Sequence, residues 1–232
     1  MKNLLLVTLL LPAATAIVAG LGRRAPCTHG RARCWALAAS LATLVGAIWL
    51  AARFHAGAVA FAATDYPWFA AAGIPLDIRF SIALDGLSLW LFVLTALLQV
   101  VAVLISWEAI KDQQSLYYRL LLLLGTGMLG VFVARDIILF YVFFEFTLVP
   151  LFFLIGIWGG PQRRQAAAKF FLFTLAGSVL TFLGLLSIVL WSYYSSGDVP
   201  AMRRLTFSIP DLTESLRAAR QRVKTEPSFI SD

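Results

Sequence analysis

Apolar residues in this chain come in blocks of about 20, the length an α-helix needs to cross the roughly 30 Å hydrocarbon core of a bilayer. Read between charges, six blocks stand out: Leu4 to Leu21, Cys34 to Ala52, Leu87 to Trp107, Leu116 to Val133, Ile137 to Trp158 and Phe170 to Tyr194. Inside lipid each segment must satisfy its own backbone, so these are expected to be helices. Composition agrees. Of 232 residues, 60% are apolar and 13% charged, and the mean hydropathy is +0.84, against roughly 45–50% and about 25% in soluble domains. The net charge of +7 sits in loops and a tail, so it describes topology rather than nucleic-acid binding. Disorder and a disulfide-stapled secreted fold are excluded on the same grounds. The expected fold class is an all-α polytopic membrane protein. Residues 1–197 form its six-span domain, and residues 198–232 a tail that is amphipathic, then unstructured.

The first block resembles a signal peptide in having Lys2 ahead of it and small residues at Ala13, Ala14 and Ala16. Its apolar run continues through Ile17, Val18 and Leu21, which is long for a signal core, so a retained span is expected. Lys and Arg set orientation. The loops after spans 1, 3 and 5 carry nine basic residues, including Arg23, Arg31, Lys111, Arg163 and Lys169, whereas Lys2, Arg53, Arg79 and Arg135 make four on the other side. The odd loops are therefore expected on the cytoplasmic side and both termini outside. The tail's six basic residues against five acidic ones weaken this without reversing it.

Between spans 2 and 3 the run from Pro75 alternates, with Leu76, Ile78, Phe80, Ile82 and Leu84 on one face. That is a strand period. It predicts a short hairpin at the outer surface, approached through Pro67 and Trp68 and turned at Gly73-Ile74-Pro75. It is as well suited to covering helix ends as to binding anything.

Within Ile137 to Trp158 a single ionisable side chain, Glu145, interrupts ILFYVFFEFTLVPLFFLIGIW. Eight residues into a helix, it lies about 12 Å from the start and near the bilayer midplane. Insertion scales charge about 2.5–3.5 kcal/mol for Asp, Lys or Arg at a helix centre, and a carboxylate placed there tends to take up a proton instead. A group balanced between a costly charge and a proton is suited to passing protons on. The alternative is a protonated Glu that hydrogen-bonds a neighbouring helix as packing glue. Pro150 lacks the N–H that would bond the Phe146 carbonyl, so a kink is expected one turn away, with a freed carbonyl where water could sit beside the carboxyl.

The other charges carry less. Asp136 fits a helix cap for span 5, and Asp85 a cap or interface residue for span 3. Glu108, beside Trp107, reads on position as a solvated carboxylate. Lys169 either snorkels to the inner interface or turns inward towards a carboxylate. In the tail, Asp211 with Glu214 three residues on fits a helix cap. Cys27 and Cys34, with His29 between them, lack the spacing and ligand number of a metal site, and idle thiols are expected. No phosphate loop, haem-type histidine pair or nucleophile with a base is visible, so neither a metal nor a redox cofactor is expected in this chain.

Residues 134–184, ARDIILFYVFFEFTLVPLFFLIGIWGGPQRRQAAAKFFLFTLAGSVLTFLG, resemble subunit M (chain 4) of the proton-translocating NADH-quinone oxidoreductase, respiratory complex I. LDGLSLWL at 84–91 resembles the opening of its third span, and FSIPDL at 207–212 its outer loop after span 6. The M type is marked by FFEFTLVP at 143–150, WGG at 158–160 and KFFLFTLAGS at 169–178, where the L-type subunit typically carries a Gly-Asp after the span-6 phenylalanines. The resemblance implies the first half of an antiporter-like fold, an essential proton-channel role for Glu145, and a second, peripheral inner-side carboxylate at Glu108. It implies that NAD, FMN, iron–sulfur clusters and quinone are bound by other subunits, and that the partners are membrane-arm subunits such as L and N. The implied location is a bacterial inner membrane, and the enzyme class a translocase. In that family a broken helix carrying the lysine partner of Glu145 follows span 6. The chain is therefore expected to be a truncated or split subunit. Two other readings stay open: a subunit of a multisubunit sodium/proton antiporter, and a structural fragment that packs without pumping.

Overall fold

The computed structural model describes residues 2–21, 29–54, 61–69, 76–195, 205–214 and 216–217. Six helices carry the fold: α1 (Lys2–Leu21), α2 (His29–Ala52), α3 (Gly86–Ala109), α4 (Gln114–Val133), α5 (Ile137–Trp158) and α6 (Arg163–Ser195). The predicted bounds of α5 are matched at both ends. Five of the helices, α2 to α6, are long and apolar enough to cross a membrane. The apolar stretch of α1, Asn3–Ala19, is about 25 Å long at 1.5 Å per residue, shorter than the full span expected of it. α6 begins at Arg163, seven residues before the predicted Phe170. The reason is that Gln165 and three alanines propagate a helix well, although Lys169 ends the apolar run.

β1 (Phe61–Phe69) and β2 (Leu76–Leu84) form the predicted strand pair between α2 and α3. They pair antiparallel, with Thr64 opposite Ile82 and Tyr66 opposite Phe80. Pro67 lies inside β1, opposite Arg79, rather than on the approach to it. The predicted turn at Gly73-Ile74-Pro75 lies outside the described residues. β3 (Leu205–Thr206) adds a two-residue parallel strand beside β2.

α4 is the hub of the bundle, packed against α1, α2, α3 and α5. Leu5, Leu9, Ala47, Leu50, Phe92, Leu129 and Val133 form the main core, and Ile82 and Leu84 of the hairpin close it. Glycines let the helices approach. A Cβ on Gly130 would lie 2.2–2.5 Å from ring atoms of Phe143, and one on Gly127 would lie 2.7 Å from Cγ2 of Thr147. α4 and α5 are thus in near-backbone contact, the small-residue packing of membrane helices.

The α4–α5 connection is stitched from both sides. Arg135 N–H donates to the Ser81 carbonyl at 3.0 Å, Ile137 N–H to Phe207 O at 3.0 Å, and Ile209 N–H to Arg135 O at 2.9 Å. Phe207 and Leu212 then pack with Ile137 and with Val189 of α6. The tail helix starts at Ile209, with Leu212 N–H bonded to Ser208 O at 3.0 Å. Asp211 therefore sits inside its first turn and is not the cap. Pro210 explains the earlier start, because its fixed φ suits a first helical turn.

α3 opens on a reciprocal cap. Asp85 Oδ1 accepts from Ser88 N–H at 2.6 Å, and Asp85 N–H donates to Ser88 Oγ at 2.9 Å. The Ser88 N–H, with smaller help from Leu87 N–H and Arg135, holds the Asp85 carboxyl below its ordinary value of 3.8. The unfolded chain binds this proton first as pH falls, so the cap's contribution is complete above that ordinary value and is lost as pH drops through the lower folded one. Thermal unfolding in detergent is expected to show a fall in stability between about pH 5 and pH 2 that Asp85→Asn makes shallower.

Packing at Gly130 makes a second expectation. Gly130→Ala should lower stability by about 1–3 kcal/mol, because the Phe143 ring cannot move away from both helices. Gly184→Ala, where nothing lies within 4 Å of the added Cβ, should not. Paired denaturation curves in the same detergent test the contrast.

Candidate functional site

α5 presents two opposite faces. Phe143, Phe146 and Thr147 meet α4 at Gly127 and Gly130, and a 3.6-residue period turns Tyr141, Glu145 and Phe152 the other way. That second face meets α6. The Tyr141 ring lies against Phe182 with centroids 4.6 Å apart, and Phe152 against Phe171 at 5.5 Å. Between these ring pairs Ser178 Oγ donates to Glu145 Oε1 in a short hydrogen bond. A step of four along α5, from Tyr141 to Glu145, is met by a step of four along α6, from Phe182 to Ser178. A step of seven, to Phe152, is met by seven, to Phe171. One antiparallel register holds all three contacts.

The polar group is therefore enclosed by aromatics above and below. Ser178 is 5% exposed, and its hydroxyl also lies 2.8 Å from the Leu175 carbonyl one turn back. Tyr141 stands one helical turn before Glu145 on the same face of α5, with its ring against Phe182. Glu145 itself is half-buried. Its outer flank on α5 is apolar and open, with Val142, Val149 and Phe153 exposed. Pro150 is buried within α5, five residues on, and cannot bond the Glu145–Phe146 stretch of carbonyls.

The remaining sequence candidates lie apart from this cluster. Glu108 is exposed at the C-terminal end of α3. Lys169 is exposed on α6, nine residues before Ser178, which is about 13 Å along the axis and out of reach of Glu145. Asp136 is 1% exposed, and its Oδ1 accepts from Ile138 N–H at 2.8 Å and Leu139 N–H at 3.3 Å. Its carboxyl thus caps α5 at the positive end of the helix. At the opposite end Trp158 Nε1 donates to Asp112 O at 3.1 Å and its ring packs on Tyr117 at 5.1 Å. Both ends of α5 are pinned around Glu145. Cys34 is exposed, and Cys27 lies outside the described residues.

Ser178 and Tyr141 were not among the sequence candidates. Tyr141 carried a usable signal, since it stands one helical turn before Glu145 and so shares its face. Ser178 carried a weaker one, as a hydroxyl in an otherwise apolar stretch of α6.

Known proteins bear on this arrangement. Residues 134–218, which include α5, α6 and the segment 207–212, match the family described as NADH:quinone oxidoreductase/Mrp antiporter, transmembrane. Subunit M of NADH-quinone oxidoreductase from Rhodobacter capsulatus is 33% identical over 213 residues, covering 90% of this chain and 40% of that protein. NAD(P)H-quinone oxidoreductase chain 4 1 of Nostoc sp. is 39% identical over 141 residues, covering 61% of this chain and 25% of that one. Respiratory complex I from Thermus thermophilus contains a chain of the same fold, with a TM-score of 0.68 and 29% identity, covering 91% of this chain and 39% of that chain. The chain thus spans a quarter to two-fifths of the length of these relatives.

Removing the α5 cap gives a direct check on how firmly the cluster is held. Asp136→Ala should cost about 0.5–2 kcal/mol in a detergent unfolding assay, and Asp136→Asn, which keeps an acceptor, should cost less. In sequence and in fold, the chain is related to part of the antiporter-like membrane subunits and resembles subunit M, or chain 4, of the NADH-quinone oxidoreductases.

Proposed function

We propose that this chain acts as a proton-translocating membrane-arm subunit of an NADH-quinone oxidoreductase, with Glu145 as its proton-transfer carboxyl. The observation that carries the reading is a lone mid-span carboxyl, hydrogen-bonded across helices to Ser178, in a chain that resembles subunit M. A carboxyl on an apolar helix is costly as a charge and cheaper once protonated, such groups mark proton paths in membrane proteins, and hydroxyl neighbours offer hydrogen bonds to either form. NAD, flavin, iron–sulfur and quinone chemistry belong, in this reading, to other subunits of the assembly. Related membrane-arm subunits of the L and N kind are the partners. Glu108 serves as a peripheral carboxyl at the inner end of α3, and Lys169 snorkels at the same interface. The excess of basic residues in the odd loops supports an inner-membrane orientation with those loops cytoplasmic.

A second reading, a subunit of a multisubunit sodium/proton antiporter, is favoured by the breadth of the matched family, whose description includes Mrp antiporters. The two separate on one preparation. In membrane vesicles holding the assembled complex that contains this chain, NADH oxidation should acidify the lumen, and Glu145→Gln should lower proton translocation severalfold or more. Unchanged translocation in Glu145→Gln removes the role given to this residue. Proton movement driven by a sodium gradient without NADH would favour the antiporter.

A further inference from the structure

Ser178 has one hydroxyl proton and two acceptors within reach, the Glu145 carboxyl and the Leu175 carbonyl at 2.8 Å. It is almost wholly buried, at 5% exposed. An ionised carboxylate only accepts hydrogen bonds, whereas a protonated one must also place its own O–H. The two acceptors therefore suit the two charge states of Glu145. When Glu145 is ionised, Ser178 O–H points at Oε1. When Glu145 is protonated, Ser178 O–H turns to Leu175 O, and its oxygen accepts the carboxyl proton. Nothing is transferred to or from the serine, which exchanges acceptors only.

Tyr141 completes the arrangement. Its ring lies against Phe182, one turn from Ser178 on the same face of α6, and it stands one turn before Glu145 on the same face of α5. It is the other titratable side chain of α5. From α4, the helix on the other side of α5, the contacts are made by Gly127 and Gly130, which bring no charge. α6 brings Ser178, with Lys169 more than two turns away. From β2 the contact is made near Ser81 and Ile82 with the 134–135 connection at the start of α5, remote from the carboxyl.

We propose that Ser178 and Tyr141 are positioning residues for Glu145: the Ser178 hydroxyl holds the carboxyl towards α6 and follows its charge by exchanging hydrogen-bond acceptors, and Tyr141, on the same face one turn away, lines its other side. This rests on the proton-transfer reading of Glu145. The pair differs from packing glue in one measurable respect. Packing glue sets stability, whereas a donor to the ionised form also sets the pH at which the carboxyl gives up its proton.

The test uses vesicles holding the assembled complex and compares Ser178→Ala, Ser178→Thr, Tyr141→Phe and Glu145→Gln for proton translocation per NADH oxidised, across about pH 5.5 to 8.5. Ser178→Ala should lower translocation about 3- to 10-fold at neutral pH and move the acid limb of its pH profile towards higher pH by roughly one unit, the size expected for one lost charge-assisted donor. Ser178→Thr, which keeps the hydroxyl, should restore the profile. Tyr141→Phe keeps the ring on Phe182 and should move the limb in the same direction by less. If Glu145→Gln translocates normally, the underlying reading fails. If Glu145→Gln is inactive while Ser178→Ala and Tyr141→Phe keep the unaltered profile, the reading of Glu145 stands and the positioning proposal is overturned. Should Ser178→Ala prevent assembly, Tyr141→Phe decides, because it removes an oxygen and no packing surface, and an unmoved limb there overturns the proposal.

Discussion

The close contact of α4 with α5 governs what the rest of the molecule can do. In lipid, helices gain little from burying apolar surface against one another, so surface fit decides which faces meet. Gly127 and Gly130 remove two side chains from α4 where Phe143 and Thr147 of α5 would otherwise be displaced. This fixes the rotation of α5 about its own axis. Once Phe143, Phe146 and Thr147 face α4, the helical period leaves Tyr141, Glu145 and Phe152 on the opposite side. The position of the carboxyl is thus a consequence of two glycines on another helix.

α6 depends on that rotation, because among the elements it touches are α5 and β3 but none of α1 to α4 in any extended contact. Its register is set by three contacts, two aromatic and one polar. The segment 207–212 ties its later turns back to α5 through Phe207, Leu212, Ile137 and Val189. The same segment bonds the 135–137 connection, which the β1–β2 pair holds from its other side. These contacts clamp the start of α5, and the Trp158 bond to Asp112 O holds its finish.

What could be read from the sequence follows the reach of each physical rule. The bounds of α5 were legible because a charged pair, Arg135 and Asp136, precedes it and Gly159 follows, so apolarity and helicity end together. For α6 they do not, since alanines keep the helix going from Arg163 while Lys169 breaks the apolar run. The strand period from Leu76 was legible, but the pairing of Pro67 with Arg79 depends on a partner strand that alternation does not specify. Asp211 was misplaced for a similar reason, because its helix starts at Ile209, whose N–H bonds the carbonyl of the distant Arg135. Glu145 stood out as a charge among apolar residues. Ser178 did not, because a helix-buried serine ordinarily bonds its own preceding turn, and only the α5–α6 register gives it a second acceptor.

That register also explains why the carboxyl faces α6 rather than α4. The α4 face of α5 is closed by glycine contacts under 3 Å to an added carbon, leaving no room there for a long side chain. The α6 face is less tightly packed. A Cβ on Gly156 would lie 3.7 Å from Cβ of Ala167, an ordinary contact, and the neighbouring flank of Val142, Val149 and Phe153 is exposed. Tight packing therefore holds α5 in place along one face, and the opposite face is left to carry the hydrogen bond between Glu145 and Ser178.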